Sequence, residues 1–197
     1  RKIKPHEIYN FADQDHVRWS SQIPSYSFDI TARSVFNMLN LIKINSPKSK
    51  YFQPFSSNMF GDIKKTKINE RNNFSPLSVY ALSKVTAFYI CEYFKRVHDL
   101  KIYGAIFFNH ESERRTSEYV SRKITKSAVR IFLKNQKKLF LGDVNSKVDW
   151  GYAKDYVIAA HKIMQMKKPD FFVIGTGKAN SIQYFVRKSF EFLGLNY

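Results

Sequence analysis

The hydrophobic period of this chain changes back and forth along its length, and that alternation restricts the fold more than any other feature. Short β-rich runs stand at residues 7–11, 51–55, 101–108, 138–141 and 170–174. Between them, at 28–41, 79–97, 119–133, 152–164 and 182–193, apolar residues recur three and four apart, as on a helix. Strands alternating with helices build βαβ units around a parallel sheet, so the expected class is α/β. Several of the β runs are continuously apolar, as strands covered on both faces must be. No internal repeat or low-complexity linker interrupts the pattern, and 197 residues suffice for one full core, so residues 1–197 are read as a single domain.

Composition narrows the function classes. Thirty-three Lys and Arg against sixteen Asp and Glu give a formal charge of +17, which attracts polyanions. The basic residues are spread along the chain, with small clusters only at Lys64, Lys65 and Lys67 and at Lys134, Lys137 and Lys138. No helix-turn-helix, zinc-finger spacing or RNP-type strand accompanies them, so nucleic acid is not the expected partner; a phosphate-bearing substrate or cofactor suits the charge better. The lone cysteine, Cys91, excludes an internal disulfide framework and points to a reducing, cytoplasmic setting. The longest apolar runs, 104–108 and 156–160, fall far short of the ~20 residues of a membrane span, so no membrane role is expected. His6, His16, His98, His110 and His161 show no metal-ligand spacing with one another or with Cys91, and no metal site is expected. The chain starts at Arg1 without a signal-peptide pattern, which implies a processed chain or a piece of a longer one.

The stretch 61–75, closed by Pro76, is the clearest loop, and its length between a strand and a helix implies a substrate-facing role. The helix after it, 79–97, has one apolar row at Val79, Leu82, Thr86, Tyr89, Tyr93 and Val97 and a second at Ala87, Ile90 and Phe94. A helix apolar on two faces needs cover on two sides, from a sheet on one and a partner subunit or a loop on the other. On it Tyr80 and Lys84 stand four apart and share a face. An ammonium beside a phenol favours the phenolate and lowers the phenol's pKa, giving a base for a substrate hydroxyl. Two further pairs, Tyr119 with Lys123 and Tyr184 with Lys188, have the same spacing. The first is set apart by the Ser56-Ser57-Asn58 stretch that ends the preceding strand, at the sheet edge where α/β proteins bind ligands. Arg114 and Arg115, just past the strand that precedes His110, suit phosphate recognition. No glycine-rich phosphate-binding turn stands near the start; Gly175 and Gly177 are the only close glycine pair.

Several stretches together resemble the GDP-mannose 4,6-dehydratase family of extended short-chain dehydrogenases/reductases. They are Glu7-Ile8-Tyr9-Asn10-Phe11-Ala12 with His16-Val17, Pro24-x-Tyr26 and Tyr80-Ala81-x-x-Lys84. Phe108-Asn109-His110-Glu111-Ser112 with Arg114-Arg115, Arg122-Lys123-Ile124 and Asp149-Trp150-Gly151-x-Ala153-Lys154-Asp155-Tyr156-Val157 follow, and Phe172-Val173-Ile174 with Thr176-Gly177 closes the series. The resemblance implies a Rossmann-like parallel sheet with flanking helices, truncated at its N-terminal strands: it begins after the family's first βαβ unit and stops before its last segment. It implies a lyase that recycles NADP and converts GDP-mannose to GDP-4-dehydro-6-deoxymannose, through oxidation at C4, loss of water across C5 and C6, and reduction at C6. It also implies a homo-oligomer, dimer or tetramer. By position, Tyr80 is the base at C4, Lys84 orients it and holds the nicotinamide ribose, and Ser56 stands for the family's Thr. Asn10, Ala12, Gln14, Tyr26, His110 and Arg115, with Tyr80 and Lys84, fall where the family contacts NADP. Asn109 and Lys123 fall where it contacts substrate.

Two departures bear on the chemistry. Asn58 stands at the family's catalytic Glu, and a neutral amide cannot accept the proton lost in the elimination. Val148 replaces the Arg that precedes Asp-Trp-Gly. The alternatives left open are a C4 oxidoreductase variant on a nucleotide sugar, and a non-catalytic relative that associates with an intact homologue. A basic nucleic-acid binder comes last.

Overall fold

The computed structural model describes residues 3–63 and 67–196; of the basic clusters, Lys64 and Lys65 therefore lie outside the described residues. In chain order the elements are β1 (Glu7–Tyr9), α1 (Val17–Gln22), α2 (Pro24–Phe28), α3 (Ser34–Asn45), β2 (Lys50–Ser56), α4 (Val79–Val97), β3 (Ile102–Phe107), β4 (Asn109–Glu111), α5 (Val120–Phe132), β5 (Lys147–Tyr152), α6 (Ala153–Met164), β6 (Phe171–Ile174), β7 (Ala179–Ser181) and α7 (Ile182–Glu191). They fall into two compact units, Arg1–Phe107 with Val157–Ile174, and Phe108–Tyr156 with Gly175–Tyr197.

The first unit holds a four-stranded sheet in the order β1-β2-β3-β6, every pair parallel. β3 is buried at all six positions and β2 at six of seven, which is why β3 reads as an unbroken apolar run and β2 as one interrupted only by Gln53. Phe55, Phe88, Phe171 and the loop residue Phe74 meet edge to face with ring centroids 4.9–5.3 Å apart, the arrangement aromatic quadrupoles favour. Gly104 makes that closeness possible: a Cβ there would lie 2.6 Å from Phe55 Cε2 and 3.0 Å from Phe171 Cδ1. Pro54 sits inside β2, where a proline removes a ladder donor. It is tolerated because β1 pairs with β2 only as far as Phe52, so the side that Pro54 faces has no strand beside it.

α4 spans the expected 79–97. Its first turn is capped by the Ser78 hydroxyl, which accepts from Ala81 N, and the Ser20 hydroxyl accepts from Tyr80 N, both at 3.1 Å. Ala81, Ala87, Cys91 and Phe94 are buried against the unit, whereas Leu82, Tyr89, Tyr93 and Val97 stay exposed. The loop between β2 and α4 turns at Gly61 (φ +67°), where a Cβ would strike the Ser75 carbonyl. Its far limb covers the sheet edge: the backbone N–H of Val173 in β6 donates to Glu70 Oε1 at 2.8 Å. An edge strand's unpaired donor is thereby satisfied and masked, which gives the loop a structural task.

The expected helix at 28–41 is part of a longer helical stretch, α2 and α3 joined by a π-helical turn at Asp29–Arg33.

The second unit holds a three-stranded sheet, β4-β5-β7, with β4 parallel and β7 antiparallel to β5. Its apolar centre is the α5–α7 contact, where Ile124, Ala128, Val186 and Phe190 are buried. Residues 138–141, read from sequence as a strand, are irregular; Leu139 and Leu141 instead pack their side chains on that cluster. Asp149, buried in β5, accepts from Thr176 N at 3.1 Å, Thr176 Oγ1 at 2.6 Å and Gly177 N at 2.8 Å, tying the turn after β6 to the sheet.

Candidate active site

In the first unit three of the expected residues come together. Ser56 ends β2, where its hydroxyl accepts from Asn58 N at 3.3 Å and lies near enough to the Tyr80 phenol to favour its ionised form. Tyr80 and Lys84 lie one turn apart on α4 and are 8% and 3% exposed, with the Lys84 ammonium 5.7 Å from the Tyr80 ring centroid. Asn58 sits in the short 3-10 turn Ser57–Phe60, beside Ser56 but exposed, so the position carries an amide and no carboxylate.

The expectation that Lys84 lowers the Tyr80 pKa is corrected. Burial pushes the phenol up and outweighs the downward pull of Lys84, while Asp13 and Asp15 push the same way as burial. Spacing along a helix reveals the neighbouring charge but not the loss of water, and here the loss of water wins. Lys84 itself is held as an ammonium: burial works against the charge, but the carboxylates of Asp13 and Asp15 oppose it and its pKa is raised.

The reason lies in a carboxylate that sequence reasoning did not single out. Asp13 Oδ2 lies 2.5 Å from Lys84 Nζ, and the same ammonium donates to the Pro54 carbonyl at 3.0 Å. Pro54 faces the side of β2 that β1 has left, so Lys84 satisfies a carbonyl the sheet cannot. Two of the three ammonium protons are therefore taken by the protein. The cluster fits a hydride-transfer cofactor in its residue types, and Lys84 keeps a single ammonium proton for a ribose hydroxyl.

The remaining first-unit candidates are more structural. Asn10 donates its amide to Tyr51 Oη at 2.8 Å and Gln53 Oε1 at 3.0 Å. Buried Gln14 donates to the His16 carbonyl and accepts from Ser27, each at 3.2 Å. Ala12 and Tyr26 are exposed.

In the second unit, His110 on β4 stacks on Tyr156 with centroids 4.8 Å apart, and its Nδ1 lies 2.9 Å from the Phe108 carbonyl. The Arg115 guanidinium lies 3.5 Å over the Tyr119 ring, and its Nε is 3.1 Å from Glu111 Oε2. Arg115 and Arg122 line one cleft of about 360 Å³ together with Ser121, Thr125, Tyr152 and Phe185. Asn109 and Lys123 are exposed, Lys123 on α5. Val148 pairs with Asn180 across β5 and β7.

A family model described as GDP-mannose 4,6 dehydratase matches residues 1–197. The chain belongs to the GDP-mannose 4,6-dehydratase family. GDP-mannose 4,6 dehydratase 2 of Arabidopsis thaliana is 39% identical to it over 199 residues, covering 99% of this chain and 53% of the relative. The GDP-mannose 4,6 dehydratase of Homo sapiens is 36% identical over 197 residues, covering 98% and 52%. The chain thus spans about half the length of the curated relatives it matches. Among solved structures, RMD from Pseudomonas aeruginosa complexed with NADPH superposes with a TM-score of 0.92 over 99% of this chain and 66% of that one, at 18% identity. The dTDP-glucose 4,6-dehydratase of Bacillus anthracis in complex with NAD gives 0.85 over 97% and 58%, at 21% identity. These likenesses show the fold, a Rossmann-like parallel sheet with flanking helices. Within this member of the GDP-mannose 4,6-dehydratase family, Ser56, Tyr80 and Lys84 meet and residue 58, beside them, is an asparagine.

Proposed function

We propose that this chain carries the proton-handling residues of a nucleotide-sugar dehydratase acting on GDP-mannose with NADP. The observation that carries the reading is the buried Ser56–Tyr80–Lys84 cluster at the carboxyl end of β2. When bound, NADP supplies the hydride acceptor and donor. Tyr80 exchanges a proton with the sugar's C4 hydroxyl, Ser56 holds the phenol in place, and Lys84 supplies the positive charge that steadies a developing phenolate. Within the first unit Asn10, Ala12, Gln14 and Tyr26 are assigned to the cofactor. Within the second, His110 and Arg115 are assigned to the cofactor and Asn109 and Lys123 to the substrate.

Asn58 supports a second reading of the same site, a C4 oxidoreductase that stops before elimination. An amide accepts no proton from C5, and loss of one general base costs about 10²–10⁴-fold. The exposed row Leu82, Tyr89, Tyr93 and Val97 on α4 supports a homo-oligomer. A cytoplasmic setting is part of the proposal; no described helix is long and apolar enough to cross a membrane.

The test is product analysis by mass spectrometry after incubating the chain with GDP-mannose and NADP. The expected outcome is little dehydrated sugar from the wild type, a gain of about 10²-fold or more with Asn58→Glu, and no product with Tyr80→Phe. Product undiminished in Tyr80→Phe would overturn the proposal.

A further inference from the structure

The Asp13 carboxylate belongs to the irregular segment that follows β1 and is 12% exposed, yet both its oxygens are engaged. Oδ2 faces the Lys84 ammonium at 2.5 Å. Oδ1 accepts from the Thr31 hydroxyl at 2.6 Å, presented by the π-helical turn between α2 and α3. We propose that Asp13 is a positioning residue of this site that competes with a nucleotide's ribose for Lys84, so that the ammonium donates to both hydroxyls of a ribose diol only when the carboxylate lets go. The proposal rests on the reading of Lys84 as the ribose-binding residue.

The competition is unequal. A ribose hydroxyl is neutral, whereas Asp13 offers a charge-assisted hydrogen bond in a site nearly closed to water. Displacing it leaves a carboxylate that has lost its counter-charge, held by Thr31 alone. The groups acting on the pair come from three directions: Asp13 and Asp15 from the segment after β1, Tyr80 from α4 itself, and the Pro54 carbonyl from β2. Removing the Asp13 charge acts on both partners. Lys84 is released toward ligand, and the phenol loses one of the charges that keep it protonated.

The experiment compares the wild-type chain with Asp13→Asn, Asp13→Ala and Lys84→Met. NADPH is titrated by its fluorescence, and Lys84 acetylation by acetic anhydride is followed by mass spectrometry without nucleotide. Asp13→Asn keeps an acceptor for Thr31, so the test survives if Asp13→Ala fails to fold. We expect Asp13→Asn to bind NADPH about tenfold more tightly than wild type and Lys84→Met to bind more weakly. Acetylation of Lys84 should be several-fold faster in Asp13→Asn, since less of the lysine is then locked as the ammonium. A role for Asp13 in stability alone would lower the melting temperature without tightening binding. Equal affinity in Asp13→Asn and wild type, with weakening in Lys84→Met, overturns the competition and leaves the ribose reading of Lys84 standing. Indifference of NADPH binding to Lys84→Met overturns both. Lys84 acetylated as fast in wild type as in Asp13→Asn also overturns the competition.

Discussion

The two units solve the same problem, holding short strands together, by different means. The first buries long side chains: Tyr51, Phe52, Phe60, Phe94 and Tyr103 are each almost fully enclosed around strands with few polar interruptions. The second has strands of three to six residues and a small apolar cluster, and it pins its turns with charges and hydrogen bonds instead. Asp149 ties down Thr176 and Gly177, and Glu111 holds Arg115. Apolar burial is non-directional, whereas polar pinning depends on the distance and angle of each bond. The contrast teaches that the two units should fail in different ways.

The largest expected effect is in the aromatic cluster. Phe55→Ala should lower unfolding free energy in denaturant by about 3–5 kcal/mol, because it empties the space between α4 and the sheet. The smaller cluster of the second unit should lose less, about 2–3 kcal/mol for Ile124→Ala. Equal losses would break the distinction. Gly104→Ala should cost about 1–3 kcal/mol by overpacking, since the new methyl meets Phe55, Phe171 and the Gln53 carbonyl. Asp149→Asn sharpens the other side: an amide nitrogen turned toward the turn's N–H groups should cost about 1–3 kcal/mol and raise hydrogen exchange at Thr176 and Gly177 while leaving β2 and β3 protected.

Alkaline pH should act on the first unit through groups that burial holds protonated. Burial pushes Cys91 and Tyr80 up from ordinary values of 9.0 and 10.0. The unfolded chain therefore gives up these protons first. The associated stability is intact below about pH 9 and declines as pH rises from there toward the folded-state values. Cys91→Ala should flatten the first part of that decline in a pH series of urea melts, and an unchanged slope would remove Cys91 as its source. The smallest effect is expected at a helix cap: Ser78→Ala should cost about 1 kcal/mol, read by the same melts.

The same contrast explains what the sequence disclosed. β-rich, mostly apolar runs located β2, β3 and β6, and the three-and-four spacing placed α4 at its observed limits and α5 to α7 within two residues. β4 and β7, at three residues each, are too short to have a period. β5 hides because its buried position is Asp149, flanked by half-buried Val148 and Trp150, so the alternation runs against polarity. In the site, Tyr80, Lys84 and Ser56 were legible from spacing and from the resemblance. Asp13 was not, because an acid in an irregular segment reads as solvated, and its partner is remote in sequence. The direction of the Tyr80 shift was equally hidden, since enclosure is a property of the packed chain.

β6 pairs with β3, yet residues 108–156 and α6 are made between them. On the ribosome, β1, β2 and β3 emerge with the border of β3 open, and the strand that covers it follows only after most of the second unit has been synthesised. At roughly 5–20 residues per second the delay is several seconds, long against the microsecond to millisecond times of local collapse. Nascent chains stalled before Phe171 should therefore hold the trigger for chaperone engagement, and those stalled well after Ile174 should not.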